Sequence, residues 1–171
     1  MLRFDRIRER RWGDMLATLA ALGALTAFAA TPPLHAGKPP HLFEQCASNL
    51  EALALGSILY SGDYDDRLPL AGAWSQQLEP YVFRSEPFHD PELDGATPPL
   101  PFGYAYFKPL SGAKLITTPS AAKVPLVFDS SEIGPTVAGG LDLLPQPGRH
   151  NGRNNVAYAD GHAGVVTSPT K

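Results

Sequence analysis

A proline-free stretch from His41 to Tyr60 carries apolar side chains at the spacing of an α-helix. The recurring positions lie three, four or seven residues apart, as the buried face of a helix requires, and they are Phe43, Cys46, Leu50, Leu53 and Tyr60. Pro39 and Pro40 precede the stretch, and Ser61-Gly62 follows it. Proline interrupts the interior of a helix. The pattern therefore predicts one amphipathic helix over residues 41–60.

Strand-forming residues are concentrated after the helix. The segments Gly103–Lys108 and Val124–Asp129 are rich in aromatic and β-branched side chains, and Pro125 is typical of a strand start or an edge. Asp160-Gly161 separates two further β-prone runs, which predicts a two-residue type I′ hairpin. The predicted register pairs Tyr158 with Ala163 and Val156 with Val165. The segments 85–101 and 132–148 have no periodicity and are predicted to be surface loops.

A helix followed by antiparallel strands predicts an α+β fold in which the helix covers one face of a small antiparallel sheet. The predicted globular domain spans residues 41–171 and closes with a C-terminal β-hairpin. Three acids, Asp63, Asp65 and Asp66, follow the helix. Their spacing differs from the Asp-x-Asp-x-Asp-Gly pattern of a calcium loop, which favours a solvated turn.

The first forty residues have the composition of an export signal. An uncharged run from Met15 to Ala30 follows a segment with five arginines. As a helix it spans roughly 24 Å, less than the ~30 Å hydrocarbon core of a bilayer. Residues 1–30 are therefore predicted to be a signal peptide or a membrane anchor, with Ala29 and Ala36 as alternative cleavage positions. Residues 31–40 carry four prolines and form a predicted linker.

Charge and cysteine content exclude several classes of protein. The net charge of −3 and the lack of a basic stretch after residue 40 argue against a nucleic-acid partner. Cys46 is the only cysteine, so no disulfide can form within the chain. We expect its side chain to be a small buried group on the helix, and the alternative is a disulfide to another chain.

Sequence motifs of enzymes are missing from the chain: it contains no nucleophile elbow, no phosphate-binding glycine loop and no paired-cysteine zinc motif. The one chemically suggestive set is His150, Asp160 and His162, which His89 or Asp129 can join in space. Two imidazoles and a carboxylate can bind zinc or another transition metal, and an open fourth position can activate water, which would make the protein a secreted metal-binding module or a metal-dependent hydrolase. The alternative is structural: Asp160 forms the hairpin turn, and His150, Asn154 and Asn155 hydrogen-bond the surrounding loop. No cofactor is expected.

Three motifs resemble the family of prepilin-type H-X9-DG domain proteins. The helix matches a Cys-x-x-Asn-Leu motif at residues 46–50, and the turn at 63–69 resembles the family's Tyr-x-x-Asp-x-Asp-Gly-x-x-Pro, with Asp66 where glycine is usual. Trp74 begins a segment similar to Trp…Leu-x-Pro-Tyr. In the closing motif nine residues separate His150 from Asp160-Gly161, with Asn155 and His162 in the same register. The resemblance covers residues 42–166.

The resemblance implies a type IV pilin-like or pseudopilin-like fold in an exported, non-enzymatic component of the bacterial cell envelope. Its location would be the periplasm, the inner membrane or the outside of the cell. Its implied partners are other envelope or pseudopilin-like proteins, and the membrane if the apolar segment is retained. Prepilin cleavage would fall after Gly13. Many members also carry a Cys-Pro in the middle loop that can pair with the helix cysteine, and in this chain Ser85-Glu86-Pro87 occupies that region.

Overall fold

The structure is a computed structural model that describes residues 40–84, 86–94 and 102–167. The predicted leader and its candidate cleavage positions Gly13, Ala29 and Ala36 lie outside these residues. Within the described part of the chain, no helix combines the length and the apolar character needed to cross a membrane.

The predicted helix forms as α1, Pro40–Asp63, and a short second helix, α2, covers Trp74–Leu78. The strands are β1 (Tyr104–Phe107), β2 (Pro125–Asp129), β3 (Ala138–Gly139), β4 (Arg153–Tyr158) and β5 (Ala163–Thr167). Single 3-10 turns connect them at Glu79–Tyr81, Pro91–Leu93, Lys108–Leu110, Leu115–Thr117, Ala121–Lys123 and Leu141–Leu143. The fold is α+β, with a five-stranded sheet in the order β3-β1-β2-β4-β5.

The sheet is mixed, whereas the sequence predicted an antiparallel one. β1, β2, β4 and β5 pair antiparallel, but β3 pairs with β1 in parallel. This strand lies inside the segment 132–148 that was predicted to be a loop. The backbone carbonyl of Val137 accepts hydrogen bonds from the Trp74 indole, at 3.0 Å, and from the Tyr106 amide, also at 3.0 Å. Tertiary contacts of this kind stabilise a two-residue strand, which is too short to show a periodic pattern in the sequence.

Helix α1 packs on the sheet through β4, β2 and β5. The core on this face contains Leu50, Leu53 and Trp74, all fully buried, together with Val127 and Ala157 of the central strands. The opposite face of the sheet carries a smaller core of Ala105, Phe128 and Val156, which is covered in part by Val137, Leu143 and Leu144. Of the recurring apolar positions, Cys46, Leu50, Leu53 and Tyr60 are buried and Phe43 is half-buried, whereas the flanking Leu55 and Leu59 are exposed.

The C-terminal hairpin forms with a register one residue away from the predicted one. Ala157 pairs with Ala163 and Asn155 with Val165. The loop has three residues, because the Gly161 amide donates to the Tyr158 carbonyl at 2.9 Å and the Tyr158 amide donates to the His162 carbonyl at 2.9 Å. Gly161, and not Asp160, has the positive φ, 98°. A type I turn followed by a glycine bulge replaces the predicted type I′ turn.

The acidic turn after α1 is held by specific hydrogen bonds. Asp66 has a φ of 64°, a region that glycine favours. Its carboxylate accepts a hydrogen bond of 2.7 Å from the Ile116 amide, and Asp63 accepts one of 2.9 Å from the Tyr81 hydroxyl. Two of the three acids therefore bind protein groups that hold the turn in place.

Candidate functional site

A buried polar cluster lies between α1 and the sheet. Its members come from four separate parts of the chain: α1, the segment 86–94, the end of β2 and the residues that precede β4. They are Cys46, Asp90, Glu92, Asp129, Arg149 and His150. Because side chains alternate along a strand, Asp129 shares the helix-facing side of β2 with Val127, and it pairs in register with buried Tyr104. Acidic and basic side chains are thus in contact inside the apolar core.

His150 is held at both ring nitrogens by carboxylates. Its Nδ1 lies 2.8 Å from Glu92 Oε1, and its Nε2 lies 3.1 Å from Asp129 Oδ2. The second distance is short enough for an ion pair, but the geometry at these two atoms is not that of a hydrogen bond. The His150 side chain is 1% exposed and packs edge-on against the Phe43 ring, with centroids 5.3 Å apart.

Asp90 is fully buried and pairs with Arg149. The Arg149 guanidinium donates to Asp90 Oδ2 and to the backbone carbonyls of Ser130 and Gly103. The other carboxylate oxygen, Oδ1, accepts from the Cys46 thiol at 2.8 Å and from the Glu92 amide at 2.9 Å. The segment predicted to be a surface loop therefore places the Asp90 carboxylate in the core, against the helix cysteine.

Burial and neighbouring charges perturb the titration of the cluster. Burial, followed by the adjacent Asp90 carboxylate, raises the pKa of the Cys46 thiol far above its ordinary value, so the thiol stays protonated. Burial also raises the pKa of Asp129, while neighbouring His150 acts in the opposite sense. For His150, burial alone lowers the pKa, but Asp129 and Glu92 raise it by more, so the imidazole pKa lies above its ordinary value.

The two asparagines of the closing motif have different environments. Asn154 binds the preceding loop as predicted, since its Oδ1 accepts from the Arg149 amide at 3.1 Å and its Nδ2 donates to the Pro145 carbonyl at 3.1 Å. Asn155 contacts the buried cluster. Its backbone amide donates to Asp129 Oδ2 at 2.6 Å, and its Nδ2 lies 3.4 Å from the Phe43 carbonyl on α1.

Asp160 and His162 form a separate pair at the exposed hairpin turn. His162 Nδ1 lies 2.5 Å from Asp160 Oδ1, and the His162 ring stacks on Tyr158 with centroids 4.6 Å apart. The six-residue strand β4 lies between this turn and His150, a length of about 17 Å at 3.3 Å per residue. The structure thus does not bring His150 together with Asp160 and His162, whereas it does join Asp129 to His150.

Sequence reasoning missed Asp90, Glu92 and Arg149 as site residues. Asp90 before Pro91 is typical of a helical N-cap, and its Oδ1 does accept from the Glu92 amide. That signal predicts a turn but says nothing about burial. Arg149 stood next to His150 in the closing motif without an assigned role.

Comparison of the chain with protein-family models, curated proteins and solved structures finds no match.

Proposed function

We propose that this protein is an exported, non-enzymatic structural or assembly component of the bacterial cell envelope, resembling a pseudopilin. The observation that carries the proposal is the burial of the motif histidine: His150 is 1% exposed and is engaged by Glu92 and Asp129. A general base or nucleophile must reach its substrate. A histidine enclosed between α1 and the sheet instead supports a role in holding chain segments together.

The position and shape of α1 also support this proposal. The helix has 24 residues and packs along one face of a mostly antiparallel sheet, an arrangement of the kind that the pilin-like resemblance implies. Its outer side exposes Leu55 and Leu59, which are 52% and 55% accessible. Exposed apolar side chains on one helix face favour contact with another protein. The partners we propose are other envelope or pseudopilin-like proteins.

Export is tested by fusing residues 1–40 to a reporter that is active only outside the cytoplasm. The uncharged run behind five arginines should make the reporter active. The matched control carries Leu22→Arg and Leu25→Arg, which place charges inside the apolar run and should retain the reporter in the cytoplasm. An inactive wild-type fusion, or equal activity of the two fusions, would contradict export.

The route is tested by determining the N-terminus and the intact mass of the protein recovered from cell fractions. Cleavage after Gly13 indicates prepilin processing, and cleavage near Ala29 or Ala36 indicates an ordinary signal peptide. An intact N-terminus in the membrane fraction indicates an anchor. An intact chain in the cytoplasm would overturn the proposal.

A further inference from the structure

We propose that the polar cluster is a binding site for a divalent transition-metal ion of the zinc type, with Cys46, Asp90, His150 and Asp129 as its ligands. The Cys46 sulfur, a carboxylate oxygen of Asp90 and a ring nitrogen of His150 all lie within 4.8 Å of one another. Tetrahedral zinc with bonds of about 2.0–2.3 Å places its ligands roughly 3.3–3.8 Å apart. These three donors therefore need only small shifts to share one ion.

Unpartnered buried atoms at the same place point to a ligand. Within the described residues, His150 Nε2, Asp129 Oδ1 and Asn155 Oδ1 are buried and have no hydrogen-bond partner. A buried polar atom without a partner is destabilising, because it has lost its hydrogen bonds to water without replacing them. A cation bound to Nε2 and to the Asp129 carboxylate would satisfy two of the three. Asp129 is the fourth ligand of the proposal because its Oδ2 already lies 3.1 Å from Nε2.

The surrounding groups orient the donors as an outer shell does in metal sites. Glu92 Oε1 lies 2.8 Å from Nδ1 of His150, so the Nδ1 proton is held by a carboxylate and Nε2 is left for the ion. Carboxylate–histidine–metal arrangements of this kind fix the tautomer and the ring orientation. Arg149 holds Oδ2 of Asp90, which leaves Oδ1 facing the Cys46 sulfur at 2.8 Å.

Ion binding releases protons from the site. Zinc binds cysteine as the thiolate and histidine through an unprotonated ring nitrogen, so any proton on these two atoms leaves when the ion binds. The thiol proton that Cys46 donates to Asp90 Oδ1 in the metal-free cluster passes to solvent. Metal binding at thiolate and imidazole ligands releases protons in this way.

The donor set selects the class of metal. One sulfur and one imidazole nitrogen favour zinc or a similar transition ion over magnesium and calcium, which take oxygen ligands. Four protein ligands leave no open position for water, as in structural zinc sites. The site therefore goes beyond the proposed envelope function without adding a catalytic one: it would fasten α1 to the segment 86–94 and to the sheet.

The test uses the full-length chain, purified in mild detergent with a phosphine reductant and no chelator. Elemental analysis should find one zinc per chain. After chelation, titration with cobalt(II) should give the near-ultraviolet band of thiolate-to-cobalt charge transfer and saturate at one equivalent. Because Cys46 is the only cysteine of the chain, that band can arise only from Cys46.

Three variants localise the ligands. Cys46→Ser should abolish the charge-transfer band, and His150→Asn should weaken cobalt binding by at least tenfold. The matched control, Asp160→Asn with His162→Asn, removes the exposed carboxylate–histidine pair and should leave the band and its stoichiometry unchanged. Circular dichroism checks that each variant is folded.

The proposal is overturned if folded wild-type protein gives no thiolate–cobalt band. It is equally overturned if the control removes bound zinc while Cys46→Ser retains it, which would mean an adventitious ion only. If Cys46→Ser fails to fold, the wild-type spectrum alone decides. None of these outcomes depends on export, so the site and the envelope function succeed or fail separately.

Discussion

Asp160 and His162 form an ion pair that is local to the hairpin turn. His162 Nδ1 and the His162 amide both point to Asp160 Oδ1, and this hydrogen bonding lowers the pKa of the Asp160 carboxyl. A depressed carboxyl pKa stabilises the fold above the unfolded value of about 3.9, and this stability is lost as the pH falls through the folded pKa. An NMR titration of the side-chain carboxyl carbons should therefore place Asp160 below 3.9, and His162→Ala should move it back up. An unchanged pKa in His162→Ala would show that the pair does not interact in solution.

Two glycines with positive φ differ in whether an added Cβ would meet a neighbouring side chain. Gly152 has a φ of 84° and open space where a Cβ would stand. Gly161 has a φ of 98°, and its Cβ would meet Leu55 Cδ2 at 3.0 Å and Ile58 Cδ1 at 3.2 Å on α1.

Both substitutions by alanine place a Cβ in the left-handed region, at a cost of about 1–2 kcal/mol. Gly161→Ala must also displace α1 side chains, which adds roughly 1 kcal/mol or more. Urea unfolding should thus find Gly161→Ala the less stable variant. Equal losses would mean that the turn does not rest on the helix in solution.

At the scale of elements, helix α1 has two kinds of leucine. Leu50 is fully buried against the sheet, whereas Leu59 is 55% exposed. Leu50→Ala should cost about 2–5 kcal/mol because it removes buried apolar atoms and leaves a cavity. Leu59→Ala should cost well under 1 kcal/mol in the isolated protein, since most of its side chain already contacts water. Thermal or urea unfolding measures both, and equal losses would put the wrong helix face inward.

The same residues show why the sequence predicts some elements well. The period of Cys46, Leu50 and Leu53 is long enough to define a helix and its buried face without knowledge of the partner surface. The hairpin was located through Asp160-Gly161, but its register was wrong by one residue. Asp-Gly suits a type I′ turn as well as a type I turn with a glycine bulge, and contact of Gly161 with α1 is not visible in the local sequence.

The candidate site was only half predictable for a related reason. Asp129 ends a strand-like segment and His150 precedes another. Polar residues in such places stand out from the apolar residues of the strands. Asp90 and Glu92 lie in a segment rich in proline and charge, a composition typical of exposed loops. The charge of buried Asp90 is balanced by the cation of Arg149, which lies 59 positions away along the chain. Because Arg149 and Asp90 are far apart in the sequence, no local pattern predicts that they pair.

At the scale of the whole molecule, the polar cluster joins segments that are distant in sequence. Asp90 contacts Cys46 of α1, and Arg149 reaches Asp90 and the carbonyls of Gly103 and Ser130 beside β1 and β2. The charged residues of this cluster therefore connect the helix, the segment 86–94 and the sheet. We expect the domain to unfold as a single cooperative unit, because separating any of these parts exposes or orphans a buried charge.

A double-mutant cycle on Arg149 and Asp90 measures this coupling. Arg149→Met keeps the length of the side chain but leaves the Asp90 carboxylate buried without its cation, which should cost about 3–5 kcal/mol, a large part of the stability of a small domain. Adding Asp90→Asn removes the unpaired charge, so the double variant should be more stable than Arg149→Met alone. Urea unfolding in metal-free buffer, followed by both fluorescence and circular dichroism, gives the four free energies and tests whether the two signals coincide. Additive losses would mean that the pair contributes no coupling, and separate transitions would mean that the cluster does not unite the fold.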